Sequence, residues 1–116
     1  MLVATIARRA VAVPVQHVVE TMRPLPTESG TCMHRGESIA VIDAAALAGA
    51  NVTPTRCVVL RAGDARVAVL VDSVAEVRRV SAQDVGPPLI ESAKLGDVAP
   101  AVASVLAQVR ALRGPR

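Results

Sequence analysis

Two runs rich in valine and leucine within residues 55–80 flank Ala62-Gly63-Asp64-Ala65, and the rest of the hydrophobic pattern is arranged around them. Gly63 tolerates a left-handed φ at the first central position, so Gly63-Asp64 reads as a two-residue hairpin turn. That turn fixes a register. Leu60 faces Val67, Val59 faces Ala68, and Val67, Val69 and Val71 share one face that points into a core. The same register sets Arg61 opposite Arg66, a like-charge pair that needs water or an acidic group to relieve it. A solvated hairpin end is the simpler reading, with an anion or partner site as the alternative.

Upstream, LVATI (2–6) and AVAV (10–13) alternate as two short strands around Ala7-Arg8-Arg9, and Pro14 closes the second because proline cannot donate to a ladder. Residues 15–18 fit one helical turn and 18–22 a returning strand, while Arg23-Pro24-Leu25-Pro26 makes a corner and 27–30 a polar loop. Residues 38–42 are apolar on both faces and read as a buried strand. Asp43 then caps a short middle helix over 44–48, stopped by Gly49.

Downstream, a third strand is expected over 75–80, and Gly86-Pro87-Pro88 reads as the start of a stiff linker spanning 86–96. From Asp97, the residues Val98, Val102, Val105, Leu106, Val109 and Leu112 draw one stripe on a helix over 97–113, with Asp97 as its N-cap and Pro100 in its first turn. Such a stripe must cover a surface, either this chain's own barrel or a partner.

Composition narrows how the core is built. Of 116 residues 52% are hydrophobic, yet none is Phe, Tyr or Trp, so burial rests on Val, Ala, Leu and Ile in one domain over 1–116, with 1–85 as a β body. Net charge is +3, carried by twelve arginines and the single Lys94 with acidic residues spread among them, so no basic block stands out. No apolar run reaches the roughly 18–20 residues of a spanning helix. With no leader pattern at Met1–Ile6, the expectation is a cytoplasmic protein with two reduced thiols, Cys32 and Cys57.

Candidate chemistry is sparse. His17, His34, Cys32 and Cys57 are the soft ligands, without paired metal-binding spacing, although Cys32 and His34 alternate on an extended segment and can point the same way. A Cys/His hydrolase would need Cys32 beside His17 or His34 through a tertiary coincidence. A small basic β-barrel binding nucleic acid remains the alternative, weakened by the lack of stacking aromatics. No metal, cofactor or catalytic residue is expected.

Three segments in order resemble the CheW family of chemotaxis adaptors. RVAVLVDSVAEV (66–77) resembles its Val-Asp-x-Val-x-Glu-Val strand. GTCMHRGESIAVIDAAALAG (30–49) resembles its Gly-Val-x-Asn-Leu-Arg-Gly segment with the strand and helix that follow, and IARRAVAVPVQHVVETMRP (6–24) matches a third. The resemblance implies a mainly β fold of two intertwined SH3-like barrels of five strands and no catalysis. It also implies an adaptor between the cytoplasmic signalling hairpin of a chemoreceptor (a methyl-accepting chemotaxis protein) and a CheA-type histidine kinase, associated with receptor arrays. Receptor contacts fall on Val18, Glu20, Arg35 and Gly36 by that resemblance.

The chain departs from the pattern in a short 26–30 stretch, in Met33, His34 and Ala68, and in a C-terminus that reads as helix where a final strand is usual. It is similar in this to the FrzB component of the Frizzy gliding-motility pathway. These departures leave the completeness of one barrel open, and with it the kinase contact.

Overall fold

The computed structural model describes residues 1–23 and 30–113. The hairpin takes the expected form. Strands β6 (Arg56–Ala62) and β7 (Ala65–Val71) pair with Leu60 opposite Val67 and Arg61 opposite Arg66, joined by Gly63 at φ 66°. Both faces of this pair are buried. Val58, Leu60, Val67, Val69 and Val71 belong to a large cluster that also takes in Leu2, Ile6, Val11, Ile90 and Leu106. Cys57, Val59 and Ala68 face the other way, into a smaller cluster with Cys32 and Ile39. At roughly 1.5–3 kcal/mol per fully buried aliphatic side chain, the two-sided hairpin is the main contributor to a core without aromatics.

Two five-stranded sheets are built from this chain. The second has the order β3-β6-β7-β5-β4, with β3 at Val18–Met22, β4 at Thr31–His34 and β5 at Glu37–Asp43. Strand β5 lies parallel to β7, and the chain between them runs through α1 (Ala44–Leu47) and then β6; the Ala46 N–H donates to Asp43 at 3.2 Å as the N-cap pattern anticipates. Gly49, at φ 83°, follows the helix. Residues 38–42 do form strand, but only Ile39 is fully buried and Ala40 is exposed, so the strand is half-covered.

The first sheet has the order β8-β1-β2-β10-β9, from β1 (Leu2–Ile6), β2 (Arg9–Val13), β8 (Ser73–Val77), β9 (Val85–Pro88) and β10 (Arg110–Leu112). The β1–β2 turn is Ala7-Arg8, both left-handed at φ 55° and 63°. Here the C-terminal expectation is corrected in three ways. Residues 86–96 are not a free linker, because β9 is a strand of the sheet and a 3-10 turn, Ser92–Leu95, follows it. Helix α2 is Pro100–Leu106, with Ala99 rather than Asp97 at its N-cap and Pro100 at its first position. It stops short of 113, and β10 follows and pairs with both β2 and β9, so neither sheet lacks a strand.

The apolar stripe is nonetheless buried at Val102, Val105, Leu106 and Val109, and it covers this chain's own core rather than a partner. The expected strand over 75–80 begins and ends earlier, at Ser73 and Val77. The corner and the polar loop expected over 23–30 fall largely outside the described residues.

Candidate functional site

The residues singled out by resemblance come from two strands at opposite edges of the second sheet. Strand β3 carries Val18 and Glu20, two apart, which a regular strand would place on one face. A bulge intervenes. Val18 pairs with Leu60 while Glu20 pairs with Val59, its immediate neighbour, so the extra residue turns Glu20 to the opposite face from Val18. Val18 is half-buried against the large cluster. Arg35 and Gly36 are the central residues of the β4–β5 turn, at φ 50° and 82°, the two left-handed positions of a type I′ hairpin.

Glu20 and Arg35 meet. The Arg35 guanidinium lies 3.4 Å from Glu20 Oε1, with the arginine side chain 62% exposed and the glutamate 36%. The same Oε1 accepts from His34 Nε2, on a side chain that is only 3% exposed. On its other nitrogen, His34 Nδ1 accepts from Arg66 Nη1 at 2.6 Å. Guanidinium has donors and no acceptor, so Nδ1 must be the unprotonated nitrogen and Nε2 the one that donates to Glu20. Arg66 is held in turn by Glu37 at 2.7 Å. This acidic neighbour relieves the Arg61–Arg66 opposition, and Arg66 is thereby part of a network rather than a solvated end.

The chain Glu37–Arg66–His34–Glu20–Arg35 therefore runs over four strands and closes the gap between edge strands β3 and β4. The His34–Glu20 bond thereby ties the two edges of the sheet together. The hydrogen bond from His34 is the largest influence on the Glu20 carboxyl and holds it below the usual 4.5, against an opposing push from burial and with help from the charges of Arg35 and Arg66. Sequence reasoning singled out Arg66 only as a like-charge neighbour of Arg61 in need of an acidic group, and missed both Glu37 as that group and the role of His34. For His34 the usable signal was the alternation in Cys32-Met33-His34, and Cys32 and His34 do both point inward while Met33 is exposed.

The family model for the CheW-like domain matches residues 1–108. The chain belongs to the CheW-like domain family. Among solved structures, this CheW-like domain is similar to the scaffolding protein TtCheW from Thermoanaerobacter tengcongensis, at 19% identity and a TM-score of 0.59, over 85% of this chain and 72% of that one. That likeness is one of fold. No curated protein matches.

Other chemistry in this CheW-like domain is limited by burial. Burial pushes the Cys57 thiol up to about 11, with Cys32 adding to the shift, the reverse of what an activated nucleophile needs. Among the described residues no three His, Cys, Asp or Glu side chains are placed to hold a metal ion. No helix among them is long and apolar enough to cross a membrane.

Proposed function

We propose that this CheW-like domain is a non-catalytic cytoplasmic adaptor of a bacterial chemosensory system, bound to the signalling hairpin of a chemoreceptor and coupling it to a CheA-type histidine kinase. The receptor surface in this reading is Glu20, Arg35 and Gly36, with Val18 on the opposite face of β3, half-buried against the large cluster. The observation that carries it is the exposed Arg35, projected by its turn and held loosely over Glu20 at 3.4 Å. A planar fork in that position suits a carboxylate on a helical surface, which it can meet with two parallel bonds. The contact belongs at the smaller, transient end of interface sizes.

Strand β10 bears on the choice between coupler and receptor-only modulator. One of the departures behind the doubt about the kinase contact, the absence of a final strand, is removed by β10, while the short 26–30 stretch and the changes at Met33, His34 and Ala68 stand. Coupling is therefore the favoured reading. The test is a parallel titration of the chain against a receptor cytoplasmic hairpin and the kinase's CheW-like regulatory domain, both from the same genome. Binding to both is expected, with Arg35→Glu weakening the receptor arm by about tenfold or more and leaving the melting temperature nearly unchanged. Binding to the receptor alone would make the chain a modulator, and binding to neither would remove the adaptor reading.

A further inference from the structure

Glu20 Oε1 is shared by two donors of different kinds. Arg35 approaches from solvent at 3.4 Å, a loose contact from a side chain that is mostly exposed. His34 approaches from inside the barrel, and its imidazole is fixed at both nitrogens, by Glu20 on one side and by Arg66 at 2.6 Å on the other. Arg66 is largely buried, and Glu37 pairs with it at 2.7 Å. The inner donor is thus built in, and the outer one is free to leave.

An arginine that leaves a carboxylate normally abandons a charge, and a partly buried charge without a partner is costly. Here departure leaves Glu20 still bonded to His34. We propose that His34 is a positioning residue that keeps Glu20 satisfied, so that Arg35 can be exchanged from Glu20 to a carboxylate of a partner protein. The proposal rests on the reading of Arg35 as receptor-facing. It adds that the partner contributes an acidic side chain, and that the identity of residue 34 sets how readily the exchange occurs.

The variants separate the two bonds of the imidazole. His34→Gln keeps an amide donor for Glu20, His34→Asn keeps a group near Arg66 but falls short of Glu20, and His34→Leu removes both. In the free protein, heteronuclear NMR relaxation of the Arg35 side chain should show it mobile in the wild type and in His34→Gln, and tightened onto Glu20 in His34→Leu and His34→Asn. Equal mobility in all four overturns the proposal, whatever the partner.

Titration with a receptor cytoplasmic hairpin from the same genome gives the second readout. His34→Leu and His34→Asn should bind about tenfold more weakly, and His34→Gln within about twofold of wild type. In an Arg35→Ala background the difference should vanish. If the wild type binds and all His34 variants bind equally, the exchange mechanism falls and the receptor reading stands. If the wild type does not bind, the receptor reading falls, and the relaxation measurement alone decides the role of His34. Should His34→Leu fail to fold, the contrast between His34→Gln and His34→Asn carries the test.

Discussion

Asp72 and Arg8 lie 64 positions apart, and the Asp72 carboxylate accepts the Arg8 amide N–H at 2.7 Å and the Ala7 amide at 3.3 Å. Both donors belong to the left-handed β1–β2 turn, where neither residue is glycine. A side chain just after β7 thus holds a strained turn in the first sheet, at a cost of about 1–2 kcal/mol per left-handed residue. Asp72→Ala is expected to destabilise the fold by roughly 1–3 kcal/mol in urea denaturation. Arg8→Gly should raise stability by about 0.5–1 kcal/mol, since glycine adopts this φ without strain.

The Glu20 carboxyl sets an acid limit. Its value in the folded state lies below 4.5, so the stability it contributes is present above that pH and is lost as pH falls through the lowered folded value. Glu20→Gln should therefore be less stable than wild type at neutral pH, with the two curves converging in acid. Parallel acid-unfolding curves would show that the His34 bond does not favour the charged form.

Cys57 sets an alkaline one. Its thiol is raised from 9.0 to about 11 in the fold, so its contribution is intact below 9.0 and is lost as pH rises toward 11. The total is at most roughly 2–3 kcal/mol, from about 1.4 kcal/mol per pH unit. Cys57→Ala should flatten the alkaline arm of the stability profile. Native Cys57 should resist alkylation at neutral pH and react readily once the protein is unfolded in urea.

Two glycines should respond in opposite directions to alanine. A Cβ on Gly86 would stand 2.8 Å from the Ala111 carbonyl oxygen, which is backbone of β10 and cannot swing aside. Gly86→Ala should therefore push β9 from β10 and cost about 1–3 kcal/mol. Gly96 has an ordinary αR conformation, and a Cβ added there would meet the Ala93 carbonyl oxygen at 3.6 Å, an ordinary van der Waals contact. Gly96→Ala should stabilise by about 0.4–1 kcal/mol, and thermal melts of both variants check the contrast.

The parts of this fold written in local chemistry were legible in the sequence. Gly63-Asp64 specifies its hairpin within a few residues, Asp43 caps α1 from the adjacent position, and Pro14 ends β2. The C-terminal third was not legible, for identifiable reasons. Val109 continues the helical stripe of Val102, Val105 and Leu106, and it is buried as the stripe requires, but three residues of β10 leave too short a period to distinguish strand from helix. Gly86-Pro87-Pro88 looks like a linker because proline cannot serve a central ladder, yet β9 is an edge strand, where proline is admissible. Of the candidate site, resemblance named Glu20 and Arg35, which do meet. The Arg66–Glu37 pair stayed hidden because it depends on a β4–β5–β7 arrangement that no local pattern encodes.

The strand order also separates the two sheets by the sequence distance their pairings must close. All strands of the second sheet lie within Val18–Val71, whereas the first sheet needs Arg110–Leu112 to fill the place between β2 and β9. The β2 edge of the β1–β2 hairpin therefore stays open until a segment about a hundred residues further along the chain docks on it. The first sheet thus holds the longer-range pairing of the two, with β10 as the wedge that fills the place beside the β1–β2 hairpin.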